Sequence, residues 1–362
     1  MLKRVEKFIK ALFCEVDSAA FDAAIITSPE NRYYLSGFNS HMGYIFAARG
    51  NIYNLVDFRY YEAAAKNANV CEVILMDNLE NTLQNLIRKH NIKGVLIEKE
   101  LKVSQKERLE EIFSSLNVKS LCDGKLDSIL QNMRAIKSYD EIERIKSSQK
   151  LTEDAFKHVL NNISAGMTEK QIALDLEFFM KRNGAKSVAF DLIVVSGENT
   201  SLPHGEPGDK KIQSGELLTM DIGANLDGYN SDMTRTVAVR SVSDKQRRVY
   251  EIVLQAQLEG IKSIKAGIKA GDADDAARSV IAKEGYGACF GHSTGHGVGL
   301  CIHENPRLAQ GNQTVLESGM VITVEPGIYL KGEFGVRIED MVLVTESGCE
   351  NLTNITKDLL II

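Results

Sequence analysis

Tryptophan is absent from the 362 residues, proline occurs five times, and no stretch approaches the roughly 20 uncharged apolar residues that a membrane span requires. The opening MLKRVEKFIKALF intersperses charge among its apolar residues and builds no signal-peptide core, so a soluble, cytoplasmic chain is expected. Basic residues form no block, and 43 of them against 49 acids leave a net charge of −6, which excludes the phosphate-neutralising patch of a nucleic-acid binder. The six cysteines (Cys14, Cys71, Cys122, Cys289, Cys301, Cys349) lack CxxC spacing, which argues against a structural zinc site and for six free thiols. With 44% hydrophobic and 25% charged residues the chain is neither fibrous nor disordered, and its length suits two domains.

The first part alternates strand-like runs (Ala24–Thr27, Gly43–Ala47, Asn51–Val56, Gly94–Ile97) with helical spacing over Leu79–His90 and Gln105–Ser115, the pattern of a small α/β domain. A boundary near Leu126–Lys137 divides the chain into 1–130 and 131–362. Beyond it, Ser138 and Glu141 form a capping box that opens a helix from Tyr139 to about Leu160. The second part then repeats itself. Ile163-Ser164-Ala165-Gly166-Met167 recurs as Ile264-Lys265-Ala266-Gly267-Ile268, and the helix after each copy stops at a glycine, Gly184 and Gly285, always 101 residues apart. Two related α/β halves with a cleft between them are expected. The first copy's helix, Thr168–Asn183, has the capping pair Thr168 and Gln171 and an apolar stripe (Ile172, Leu176, Phe179) that belongs to a core.

Chemistry-bearing residues concentrate in the second domain. Four of the seven histidines (His204, His292, His296, His303) fall within one hundred residues there, and four of the five prolines (Pro203, Pro207, Pro306, Pro326) lie in the same region. Carboxylates interrupt apolar strands twice. In LLTMDIGANLDGYNSDMTRTVAV a loop centred between Leu226 and Asp227 would set Asp221 directly across from Asp232, two like charges that need a cation between them. In MVITVEPGIYLKGEFGVRIEDMVLVT, Glu325 ends a β-branched run and Glu339 lies in the returning strand beside Arg337, with which it could simply pair. Between the hairpins lies a run dense in Gly and His, FGHSTGHGVGLCIHEN. One histidine with four carboxylates is an oxygen-rich donor set suited to two Mn²⁺ or Co²⁺ ions, with Zn²⁺ as a third choice.

These blocks resemble the M24 metallopeptidases of the pita-bread fold, in their prolidase and aminopeptidase P branch. The resemblance spans the whole chain, including NRYYLSGF near the start, and rests on LPHG at His204, DIGA with SDMTRT at Asp221 and Asp232, HSTGHGVGL through His303, VEPGIY at Glu325 and RIED at Glu339. It implies a creatinase-like α/β domain followed by a pita-bread domain with an internal pseudo-twofold repeat. It implies that Asp232 and Glu339 bridge two divalent ions, Mn²⁺ foremost, with Asp221 completing one site and His296 with Glu325 the other. His204, His292 and His303 match substrate-contacting positions, and Arg337 and Tyr329 match positions around the pocket.

The activity this implies is hydrolysis of the peptide bond before proline in short peptides, by a hydroxide bridging the two ions, with Glu325 as proton shuttle. His303 and His292 would steady the carbonyl and the tetrahedral species, and His204 would line the proline pocket. A homodimer without membrane or nucleic-acid partners completes the expectation. The alternatives are a hydrolase of non-proline peptides or small amidines on the same fold, and an inactive binding protein.

Overall fold

The apolar runs of the first part become strands β1 Ala23–Ile26, β2 Tyr44–Ala48, β3 Asn51–Val56, β4 Glu72–Leu75, β5 Gly94–Ile97 and β6 Lys119–Leu121. They form one mixed sheet in the order β4-β3-β2-β1-β5-β6. Every residue of β1 (AAII) and β5 (GVLI) is buried, as befits central strands covered on both faces. Helices α1 Leu2–Glu15, α2 Pro29–Ser36, α3 Phe58–Asn67, α4 Leu79–His90, α5 Val103–Ser115 and α6 Lys125–Ala135 complete this part. The start of α4 is fixed by Asn78, whose side chain accepts from Asn81 N–H, and its end by Asn91 at φ 51°. Leu83, Leu86 and Ile87 of α4 and Phe113 of α5 pack on Ile25, Phe46 and Val95 of the sheet.

The computed structural model describes residues 2–15, 20–48, 50–67 and 70–362. It divides into two compact units, Met1–Met133 and Arg134–Ile362. Among the described residues no helix is long and apolar enough to cross a membrane. Cys71, Cys122, Cys289, Cys301 and Cys349 are free thiols, as expected; the side chain of Cys14 lies outside the described residues.

The second unit contains α7 Tyr139–Leu160, α8 Glu169–Arg182, β7 Ser187–Val188, β8 Ile193–Ser196, β9 Leu217–Ile222, β10 Ala224–Leu226, β11 Tyr229–Asn230, β12 Met233–Ala238, α9 Asp244–Ser263 and α10 Ala270–Lys283. There follow β13 Gly295–Gly297, β14 Glu304–Leu308, β15 Val321–Val324, β16 Gly327–Leu330, β17 Phe334–Arg337, β18 Asp340–Val344 and β19 Cys349–Asn351. Glu141 accepts from both the N–H and the hydroxyl of Ser138 and so opens α7. Thr168 and Gln171 cap α8 reciprocally.

The repeat is real in three dimensions. Helices α8 and α10 match end to end at the 101-residue offset. Gly166 and Gly267 precede them at φ 98° and 90°, and Gly184 and Gly285 follow at 107° and 85°, a backbone region that favours glycine. Sheet order agrees: β12-β9-β8 in the first half corresponds to β18-β15-β13 in the second, with β14 and β19 added at the edges. The apolar faces of α8 and α7 (Ile172, Leu176, Phe156) pack on β9 (Leu218, Met220) in one core. A separate core beneath β15 and β18 gathers Ile322, Val324 and Val342 with Ala270 and Ala273 of α10.

Candidate metal centre

The first carboxylate hairpin differs in register from the expectation. Its turn is Asp227-Gly228, with φ of 51° and 82°, so Leu226 faces Tyr229 and the loop is a two-residue one. The ladder therefore sets Asp221 across from Thr234, and Asp232 is not its direct partner. The slip is by two residues, which leaves every side chain on its original face. Asp221 and Asp232 become diagonal neighbours on that face, farther apart than an opposed pair and with room between them.

In the second hairpin Val324 faces Asp340 and Gly327 faces Arg337. Glu325 and Glu339 stand at one level in the break between these ladders, just past the ends of β15 and β17. Glu339 does not pair with Arg337. It accepts from Thr234 Oγ1 at 2.7 Å, the residue across from Asp221, and so joins the two hairpins. His296 comes from β13, which lies against β15 so closely that a Cβ at Gly295 would stand 2.0 Å from the Thr323 carbonyl. Glycine at 295 is what lets the histidine enter the cluster.

Asp232, His296 and Glu339 converge with ligand atoms within 4.8 Å of one another. His296 Nε2 stands 3.6 Å from Asp232 Oδ2 and 3.5 Å from Glu325 Oε1. Its Nδ1 faces the Gly297 carbonyl at 3.1 Å, so that nitrogen carries the proton and Nε2 presents a lone pair to the acids. Burial drives the His296 pKa down to about 4 and keeps the ring neutral. Burial also raises Asp232 and Glu339 well above the ordinary carboxyl range, with Glu339, Asp221 and Glu325 raising Asp232 further and Glu325 and Asp221 raising Glu339. Burial lifts Glu325 to about 7. Acceptors thus face acceptors in a buried space, an arrangement that a cation relieves.

Asp221 carries a second sign of the same kind. Its Oδ2 accepts from Arg337 Nη2 at 2.6 Å, while its Oδ1 is buried without a hydrogen-bond partner. A buried carboxylate oxygen left unpaired is costly unless something outside the protein completes it. The donor set of carboxylate oxygens and one imidazole nitrogen fits divalent ions.

Around the cluster, Arg337 also donates to Tyr329 Oη at 2.9 Å, to Thr234 Oγ1 at 3.1 Å and to the Pro203 carbonyl at 3.1 Å. Tyr329 donates in turn to His292 Nε2 at 2.9 Å, because His292 Nδ1 must donate to the Ser293 carbonyl at 2.8 Å. Both nitrogens of His292 are therefore engaged, and burial lowers its pKa to about 4. His303 and His204 are exposed, and the His303 ring meets the His296 ring edge-on with centroids 4.4 Å apart. One residue escapes the sequence reading. Arg307 on β14 stands directly across from His296, is exposed, and donates through Nε to Ser293 Oγ at 3.2 Å. Its charge contributes to lowering His296, His303 and Glu325. Only the strand pairing reveals it, since nothing in HENPR sets this arginine apart from a surface residue.

A pseudo-twofold α/β unit with an acid-rich, histidine-bearing cluster between its halves is the pita-bread architecture of metal-dependent hydrolases. The chain belongs to metallopeptidase family M24: that family's model matches residues 143–346, and the creatinase/prolidase N-terminal domain matches residues 4–136. It is 39% identical to an Xaa-Pro dipeptidase of Pyrococcus horikoshii over 99% of both chains. Among solved structures it is similar to an Xaa-Pro dipeptidase from Bacillus anthracis (TM-score 0.93, 38% identity, 99% of each chain). It is also similar to an X-Pro aminopeptidase from Thermotoga maritima (TM-score 0.89, 36% identity, 99% of this chain and 100% of the other). Family and cluster together imply divalent metal ions.

Proposed function

We propose that the protein hydrolyses the peptide bond before proline in short peptides, with Xaa-Pro dipeptides as its preferred substrates. The observation that carries the reading is the convergence of Asp232, His296 and Glu339 beside a carboxylate, Asp221, with an unsatisfied buried oxygen. Asp221, Asp232, His296, Glu325 and Glu339 would hold two ions. Mn²⁺ suits their oxygen-rich set, with Co²⁺ and Zn²⁺ as alternatives. Such ions make water a nucleophile near neutral pH and polarise a carbonyl.

The chain's own residues supply the rest. Glu325 would take a proton from the attacking water and return it to the departing proline nitrogen, which has no N–H of its own. Tyr329 is held by Arg337 and His292 at the pocket wall. His204 and His303, both exposed, are free to meet the substrate. Arg307, across from His296, offers a guanidinium to the free carboxylate of a C-terminal proline, and this favours dipeptides over longer chains. The homodimer is carried over from the family resemblance and the cytoplasmic location from the charge interspersed through the opening MLKRVEKFIKALF; light scattering of the purified protein checks the first.

The test compares Xaa-Pro with Xaa-Pro-Yaa as substrates of the Mn²⁺-loaded protein. Faster cleavage of the dipeptide, with the preference reduced by Arg307→Ala, supports the reading; faster cleavage of the tripeptide indicates an aminopeptidase. Cleavage of neither sends the search to non-proline peptides and amidines.

A further inference from the structure

Arg134 and Lys137, at the start of the second unit, are both buried against one carboxylate of that unit, Glu304. Their side-chain exposures are 10% and 2%, and that of Glu304 is 6%. Arg134 Nη2 donates to Glu304 Oε1, Lys137 Nζ reaches Oε2 at 3.3 Å, and Cys301 N–H donates to Oε1 at 3.0 Å. Arg134 Nη2 also lies 2.9 Å from Cys301 Sγ. The carboxylate fills the space over Gly299, where a Cβ would meet Glu304 Oε2 at 2.6 Å.

The loop so clasped is a short one. Gly297 pairs with Glu304 across a register irregularity, leaving residues 298–303 as the connection between β13 and β14. On its other side the loop is held by Asn230, which donates through its backbone N–H to the Gly299 carbonyl at 2.9 Å and through Nδ2 to the Leu300 carbonyl at 3.0 Å. Asn230 is two residues before Asp232. Exposed His303 is the last residue of this loop, immediately before the clasped carboxylate.

We infer that Glu304, gripped by Arg134 and Lys137, is a positioning residue that sets His303 over the metal cluster. This rests on the proposed reading that His303 meets the substrate. A carboxylate seized from two directions, which also caps the N–H of Cys301, fixes the backbone on both sides of His303. A histidine displaced by about 1 Å loses up to about 100-fold in rate. The carboxylate touches no reacting group itself.

A double-mutant cycle in the full-length, Mn²⁺-loaded protein tests this, with Ala-Pro as substrate. Glu304→Gln is expected to lower kcat/KM by about 10- to 100-fold with metal content unchanged. In a His303→Ala background the same change should matter by less than about threefold, because the residue it positions is gone. Lys137→Met leaves the Arg134–Glu304 pair intact and answers the case in which Glu304→Gln does not fold. It should cost about 3- to 10-fold, again only while His303 is present. An equal loss in both backgrounds, or loss of bound metal, overturns the inference. A fully active His303→Ala variant overturns it as well. If the unsubstituted protein cleaves no Xaa-Pro peptide, the functional reading itself fails; if it cleaves and the cycle is additive, only the positioning role fails.

Discussion

Arg337 Nη2 donates to Asp221 Oδ2 at 2.6 Å, and the other oxygen of that carboxylate is buried with nothing to accept from. The guanidinium orients Asp221 so that Oδ1 remains for a cation. It also fixes Tyr329 and the carbonyl of Pro203, next to His204. Arg337→Lys keeps the charge but loses the fork that serves these partners at once. It is expected to weaken metal binding or kcat/KM by about 10- to 100-fold, the usual cost of disturbing a group that orients a ligand. Metal titration of the apoprotein and steady-state kinetics check it together.

Metal binding should release protons near neutral pH. Burial and mutual repulsion hold Asp232 and Glu339 well above the ordinary carboxyl range, and burial holds Glu325 at about 7, so the metal-free cluster keeps protons that a cation must displace. His296, lowered to about 4 by burial, is already neutral and has none to give. Metal affinity should therefore rise as pH increases through about 7. Calorimetry in buffers of different ionisation enthalpy reads the proton count directly; no dependence on the buffer would contradict the acid assignments.

Asp340, the residue after Glu339, anchors the second hairpin from below. It is fully buried and is reached by Arg235 at 2.7 Å, Lys357 at 2.7 Å, Gln257 at 3.0 Å and Asn351 at 2.8 Å. Removing its charge leaves Arg235 buried without a counter-ion, so Asp340→Asn should destabilise the protein by about 3–5 kcal/mol. Burial pushes the Asp340 carboxyl up, but Arg235 and Lys357 outweigh it and hold the group below its ordinary value. A depressed folded pKa gives stability that is complete above the unfolded value of about 3.9 and is lost as pH falls below it toward the folded one. Urea denaturation of the apoprotein across that range, in wild type and Asp340→Asn, should show the wild type losing its advantage as the pH drops.

What the sequence discloses is what local chemistry decides. The capping pair Thr168 and Gln171, and glycines 101 residues apart that need positive φ, mark α8, α10 and the repeat before any coordinates. Register is harder to read. Whether the turn is centred on Leu226-Asp227 or on Asp227-Gly228 is settled by the preference of a two-residue loop for Asp-Gly, and the difference moves the partner of Asp221 from Asp232 to Thr234. Arg307 and Glu304 lie within a few residues of His303 and look like ordinary surface charges; only the β13–β14 pairing and the burial of Arg134 and Lys137 give them roles. His292, expected at the substrate, is bonded through both ring nitrogens to Tyr329 and the Ser293 carbonyl, partners that the linear sequence does not reveal.

The most direct measurement is the metal content and Ala-Pro hydrolysis of Mn²⁺-reconstituted protein beside its Asp232→Ala variant. Two ions per chain and cleavage before proline, both lost with Asp232, are the expected result. Full activity in the variant, or activity that persists after the metal is stripped by a chelator, would contradict the account.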